Sequence, residues 1–150
     1  AYMRRTLSDI EQLKKISLPE APVNIRLCKG IYIEPEDIAY QNKKNVNHNF
    51  MLCLDQIIQC RMFPAIATHD KSLITKSYAL ISKYQLNSDQ FEFQMLYGVT
   101  PRLRKQIVER GYTMRVYVPF GKHWFGYSTR RLKENPKIVT HIIKSLFVKN

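Results

Sequence analysis

Four short apolar runs each end in residues able to bind or orient a polar ligand. The first closes on Arg26-Leu27-Cys28-Lys29-Gly30-Ile31-Tyr32 and the second on Thr68-His69-Asp70. The third closes on Gln94-Met95-Leu96-Tyr97-Gly98 and the fourth on Tyr117-Val118-Pro119-Phe120-Gly121. A guanidinium such as Arg26 inside an apolar strand is costly unless something anionic or strongly polar takes its hydrogen bonds. One such residue is as readily a structural ion pair as a ligand group; four strand ends carrying polar groups weigh against that simpler explanation. Further on stands Arg130-Arg131, whose guanidinium forks match a carboxylate bidentately. Taken alone, the pair reads more simply as a solvated helix surface, with Glu134 one turn after Arg130. Taken with the strand ends, it suits the mouth of a barrel that holds a small carboxylate against a large planar cofactor.

Other chemistries have less to stand on. His69-Asp70 resembles half of a metal site, but His48, His123 and His141 lie at spacings that supply no third ligand. Neither a GxGxxG nor a GxxxxGK[ST] loop is present, so nucleotide binding of the Rossmann or P-loop kind has no local support. No serine or cysteine sits in a GxSxG elbow. The net charge of +12, from 24 Lys and Arg against 12 Asp and Glu, puts nucleic acid on the list. Those charges are scattered in pairs such as Arg4-Arg5, Lys14-Lys15 and Lys43-Lys44, which read as solvated helix faces, so no nucleic acid is expected. Cys28, Cys53 and Cys60 form no CxxC, and their odd count suggests reduced thiols in an intracellular compartment. No apolar run nears the roughly 18 residues that span a bilayer. The start, Ala1-Tyr2-Met3-Arg4-Arg5, has no apolar signal-peptide core and no initiator methionine, and is read as cut from something longer.

The elements that must position these residues follow from periodicity. Strands are expected over Val23 to Lys29, Phe63 to Thr68, Phe91 to Leu96 and Tyr112 to Val118. None alternates cleanly, which predicts strands covered on both faces. Leu7, Ile10, Leu13 and Ile16 mark a first helix, and Phe50, Leu54, Ile57 and Ile58 a second. Ser72 to Tyr84 and Pro101 to Arg110 give two more, the latter opened by its proline and stopped by Gly111. Trp124 to Glu134 and Ile138 to Phe147 complete the set. Helix, then strand and helix four times over, predicts an α/β fold with a parallel sheet and helical crossovers. No linker divides residues 1–150, which read as one unit.

At this point the motifs resemble a family. Arg26-Leu27-Cys28-Lys29-Gly30 is similar to the RLxKG strand of proline dehydrogenases, and Ala67-Thr68-His69-Asp70 to their ATHN segment. Phe91 to Gly98 resembles their FEFQxLxG segment, Arg115 to Gly121 their R(V/I)Y(V/A)P(F/V)G strand, and Arg130 to Asn135 their RRLxEN helix. The resemblance covers nearly the whole chain. It implies a (β/α)8 TIM barrel of which this chain holds only about the last four βα units, so that 1–150 would be the C-terminal half. It also implies noncovalent FAD and oxidation of L-proline to 1-pyrroline-5-carboxylate by hydride transfer from proline C5 to flavin N5. The electrons would then pass to a quinone.

By that resemblance Arg130 and Arg131 would hold the proline carboxylate, with Glu134 positioning the pair. Tyr32, Leu96 and Tyr117 would wall in the ring, and Arg26 would lie beside flavin N5, making Arg26 and Tyr117 the expected catalytic pair. Lys29, Gly30, Thr68, His69, Asp70 and Gln94 would hold the rest of the FAD, with Gly30 admitting a close backbone approach. Two departures stand out. Asp70 replaces the usual Asn with an acceptor-only carboxylate that would repel a pyrophosphate, and Ile33 stands where some members carry a Trp for adenine stacking. A (β/α)8 barrel needs about 250 residues, so an N-terminal half would be required and this chain alone would be inactive. A peripheral contact with the cytoplasmic membrane, or the mitochondrial inner membrane in a eukaryote, is also implied. The alternatives are a related flavin barrel acting on hydroxyproline, and a noncatalytic basic binding fragment.

Overall fold

Polar caps and apolar stripes account for the helices of the structure, a computed structural model that describes residues 1–30, 32, 34–118, 120–122, 126 and 129. The order is α1 (Thr6–Lys14), β1 (Asn24–Cys28), α2 (Lys43–Gln59), β2 (Phe63–Ala67), α3 (Lys71–Lys83), β3 (Glu92–Leu96), α4 (Pro101–Glu109) and β4 (Met114–Tyr117). Asn42 caps α2 by accepting from the Lys44 amide at 2.7 Å. The inward stripe of α2 is Val46, Phe50, Cys53, Leu54 and Ile57, at three- and four-residue steps. Helix α4 opens on Pro101. The turn after it places Gly111 at φ +80, a left-handed conformation that favours glycine.

The four strands pair in chain order, β1-β2-β3-β4, and every pair is parallel. One register row runs Leu27, Ile66, Phe93, Met114 across the sheet and faces the helices. Leu27, Ile66 and Phe93 are buried there with Phe50, Leu54 and Ile57 of α2, Leu73 and Ile74 of α3, and Ile107 of α4. Phe93 and Phe91 meet edge to face at 5.8 Å between ring centroids. Tyr78 of α3 and Tyr112 before β4 close the cluster, each within 6.0 Å of Phe93. Each such buried ring contributes roughly 1.5–3 kcal/mol of transfer free energy.

The four predicted strands and the first four predicted helices are present, with strand ends one or two residues tighter than the apolar runs suggested. Of Trp124 to Glu134 only Gly126 and Thr129 are described, and Ile138 to Phe147 lies outside the described residues, so the last two expected helices are not among the elements above. The expectation of cover on both faces needs correction. Only β2 and β3 are buried along most of their length, while Arg26 of β1 and Arg115 and Tyr117 of β4 are exposed. The physical reason is that the second face carries the polar and charged side chains of Arg26, Glu92, Gln94 and Arg115, which hydrogen-bond along the sheet.

Candidate active site

At the carboxyl end of β2, three consecutive residues stitch neighbouring elements together. Thr68, buried, accepts from the Asp70 amide at 3.2 Å. Asp70 caps α3, taking the Ser72 and Leu73 amides on Oδ1 at 3.0 and 3.4 Å. Its other oxygen pairs with Lys29 Nζ at 3.0 Å, tying the end of β1 to the start of α3. His69 Nε2 accepts from the Leu96 amide at 2.9 Å and so ties β2 to β3. Partial burial alone would raise the Asp70 carboxyl; Lys29 and the two α3 amides outweigh it and hold the group below its ordinary range. The like-charge problem that Asp70 posed in the sequence is thus met inside the chain, by Lys29.

On the open face of the sheet lies a row of polar side chains. Arg26 Nε donates to Gln94 Oε1 at 2.7 Å, and Gln94 Nε2 donates to Glu92 Oε1 at 2.6 Å. Glu92, only 4% exposed, also takes a two-pronged ion pair from Arg115, Nε at 2.8 Å and Nη2 at 3.0 Å. The Arg115 hydrogen bonds, against the opposing pull of burial and with help from Gln94, hold the Glu92 carboxyl below its ordinary range. It is therefore a carboxylate at neutral pH. Among the described residues, Arg26 keeps both of its Nη groups without a partner. Above this row, a cavity of about 400 Å³ is bounded by Arg26, Gln94, Leu96, Arg115 and Tyr117. Leu96 and Tyr117 are register partners across β3 and β4.

The family described as Proline dehydrogenase matches residues 1–142. The chain belongs to the proline dehydrogenase family. Proline dehydrogenase 1 of Bacillus subtilis (strain 168) is 35% identical over 149 residues, 99% of this chain and 48% of that protein. Proline dehydrogenase of Deinococcus radiodurans is 34% identical over 146 residues, 97% of this chain and 46% of the relative. Among solved structures, proline utilization A from Bdellovibrio bacteriovorus, inactivated by N-propargylglycine, superimposes with a TM-score of 0.78. It is 31% identical, and the match covers 89% of this chain and 16% of the other. The chain spans about half the length of the curated relatives it matches.

Of the residues the proline dehydrogenase motifs single out, the fold gathers Arg26, Gln94, Leu96 and Tyr117 around one cavity. It places Lys29, Thr68, His69 and Asp70 together at the neighbouring strand ends. Gly30 has φ +89, and a side chain there would run into the Tyr2 ring, so the close approach it admits in this structure is that of Tyr2. Tyr32 is exposed and is not among the described residues that bound the cavity. Arg130, Arg131 and Glu134 lie outside the described residues. Motif reading passed over Glu92 and Arg115. The available signal was the period of two, which puts Glu92, Gln94 and Leu96 on one face of β3 and Arg115 and Tyr117 on one face of β4.

Proposed function

We propose that this chain supplies the C-terminal half of a (β/α)8 barrel that oxidises L-proline to 1-pyrroline-5-carboxylate with FAD and passes the electrons to a quinone. The observation that carries the reading is the family match over residues 1–142, whose motif residues Arg26, Gln94, Leu96 and Tyr117 converge on one cavity. The donor set fits a flavin. Among the described residues, Arg26 keeps unengaged N–H donors on an open face, chemistry suited to a planar ring with carbonyl and ring-nitrogen acceptors. When bound, FAD supplies the two-electron acceptor for the hydride on proline C5.

Everything else falls to the chain. Arg26, held through its Nε by Gln94, presents fixed positive charge to the acceptor. Leu96 and Tyr117 bound the space for the pyrrolidine ring. By their motif, Arg130, Arg131 and Glu134 would supply the bidentate clamp on the substrate carboxylate that orients C5. Tyr32 adds to the substrate wall. Lys29, Gly30, Thr68, His69 and Asp70 form the shelf on which the rest of the cofactor rests.

Parallel β1 and β4 each have an edge with no partner strand among the described residues. In this reading the other half of the barrel pairs with them and brings the remaining substrate groups. The site belongs to a cytoplasmic protein peripheral to the membrane that holds its quinone. The test is a flavin spectrum and its bleaching by L-proline, compared for the protein with and without an N-terminal half. Stoichiometric flavin reduced by L-proline, only when both halves are present and faster than with hydroxyproline, is the expected result. A protein with both halves that takes up no flavin refutes it.

A further inference from the structure

Glu92 is a buried carboxylate on the face of the sheet that carries Arg26, and it touches no helix residue through a hydrogen bond among those described. Its place in the chain of contacts is specific. A glutamine side chain is two-ended: its nitrogen only donates and its oxygen only accepts. Glu92 can only accept, so with Gln94 Nε2 held at 2.6 Å the amide has one orientation, and its oxygen is turned to Arg26 Nε. Were the amide to flip, its NH2 would face a guanidinium and its oxygen a carboxylate, two repulsive contacts in place of two attractive ones. Arg115 completes the arrangement. Its paired N–H groups fix the plane of the Glu92 carboxylate and keep it ionised.

We propose that Glu92, fixed by Arg115, is a positioning residue: acting through Gln94, it sets the orientation of Arg26 at the mouth of the cavity. The chain of three bonds crosses three strands. Arg26 is in register with Ala65 and Glu92, and Gln94 is in register with Arg115. One carboxylate at the centre of the sheet thereby reaches the outermost strand, β1. The bland alternative is an ion pair that merely stabilises β3 against β4. That alternative explains Arg115 but leaves the 2.6 and 2.7 Å bonds through Gln94 to Arg26 without a purpose.

The first arm of the test needs no cofactor. In the full protein, the Arg26 Nε–H signal is followed by NMR for exchange with solvent. Glu92→Gln and Gln94→Leu are each expected to speed that exchange at least tenfold, although only the first disturbs Arg115. Unchanged Arg26 exchange in folded Glu92→Gln overturns the proposal. The second arm rests on the proposed function and measures the flavin dissociation constant. Each single variant is expected to weaken flavin about tenfold, and the double variant no further, because both act through Arg26. Losses that multiply in the double variant would overturn the relay in favour of two independent roles. A protein that takes up no flavin would sink the proposed function instead, while the exchange measurement still decides the link from Glu92 to Arg26.

Discussion

Asp70 does two jobs that substitution can separate. Its Oδ1 caps α3, and its Oδ2 pairs with Lys29, both side chains being largely withdrawn from water at 19% and 24% exposed. Asn caps a helix about as well as Asp, so Asp70→Asn removes the ion pair and spares the cap. Gross attraction at 3.0 Å is about 5.5 kcal/mol at an effective dielectric of about 20, and desolvation cancels most of it, leaving a net loss of about 1 kcal/mol. Asp70→Ala also forfeits the cap, worth about 1 kcal/mol, so its loss should be about 2 kcal/mol. Urea unfolding followed by circular dichroism gives both numbers from the midpoints, provided the slopes agree. The folded carboxyl lies below its ordinary value of 3.8, so the wild-type advantage is complete at neutral pH. It should fade as pH falls below about 4 and through the folded value. Equal losses for the Asn and Ala variants, or a wild-type margin over Asp70→Asn that does not shrink as pH falls below about 4, would refute the division of labour.

Two further outcomes follow from the core and from the turn after β1. Phe93→Ala empties the centre of the Tyr78, Phe91 and Tyr112 cluster and should cost about 3–5 kcal/mol, read as a drop in the urea midpoint; a loss under about 1 kcal/mol would mean the rings do not carry the packing. Gly30→Ala combines a left-handed φ of +89 with displacement of the Tyr2 ring. It should cost more than the roughly 1–2 kcal/mol of backbone strain alone, whereas the same substitution at Gly111, where nothing crowds the added carbon, should cost only the strain.

What the residues declared in advance, and what they hid, divides along the range of the interactions. Strands and helices were legible because burial imposes a local period, and the ends of α4 because Pro101 and Gly111 act within one turn. The gathering of Arg26, Gln94, Leu96 and Tyr117 was legible only as a family motif, since register between strands decides it. Asp70 looked like a liability because its partner, Lys29, is 41 positions away in the chain. Its capping of α3 needed only residues two and three positions on, and could have been read from Asp70 followed by a helical pattern. Glu92 was hidden by its setting. A lone carboxylate in Phe91 to Leu96 hardly disturbs an apolar run, and only the opposed guanidinium of Arg115 on the next strand gives it meaning.

Strands that pair strictly in chain order also fix how far the chain must bend back to make each contact. Asn24 meets Phe63 thirty-nine positions on, Ala65 meets Glu92 after twenty-seven, and Phe93 meets Met114 after only twenty-one. Closing the first of these loops costs about 0.5 kcal/mol more entropy than closing the last, a factor of about 2.5 in encounter probability. Phe93 and Tyr112 of the aromatic cluster, 6.0 Å apart, also fall within that last loop. Assembly is therefore expected to begin at β3 and β4 and to spread back toward β1, opposite to the direction in which a ribosome releases the chain. Of these four strands, the first to emerge is then expected to be the last to join the sheet.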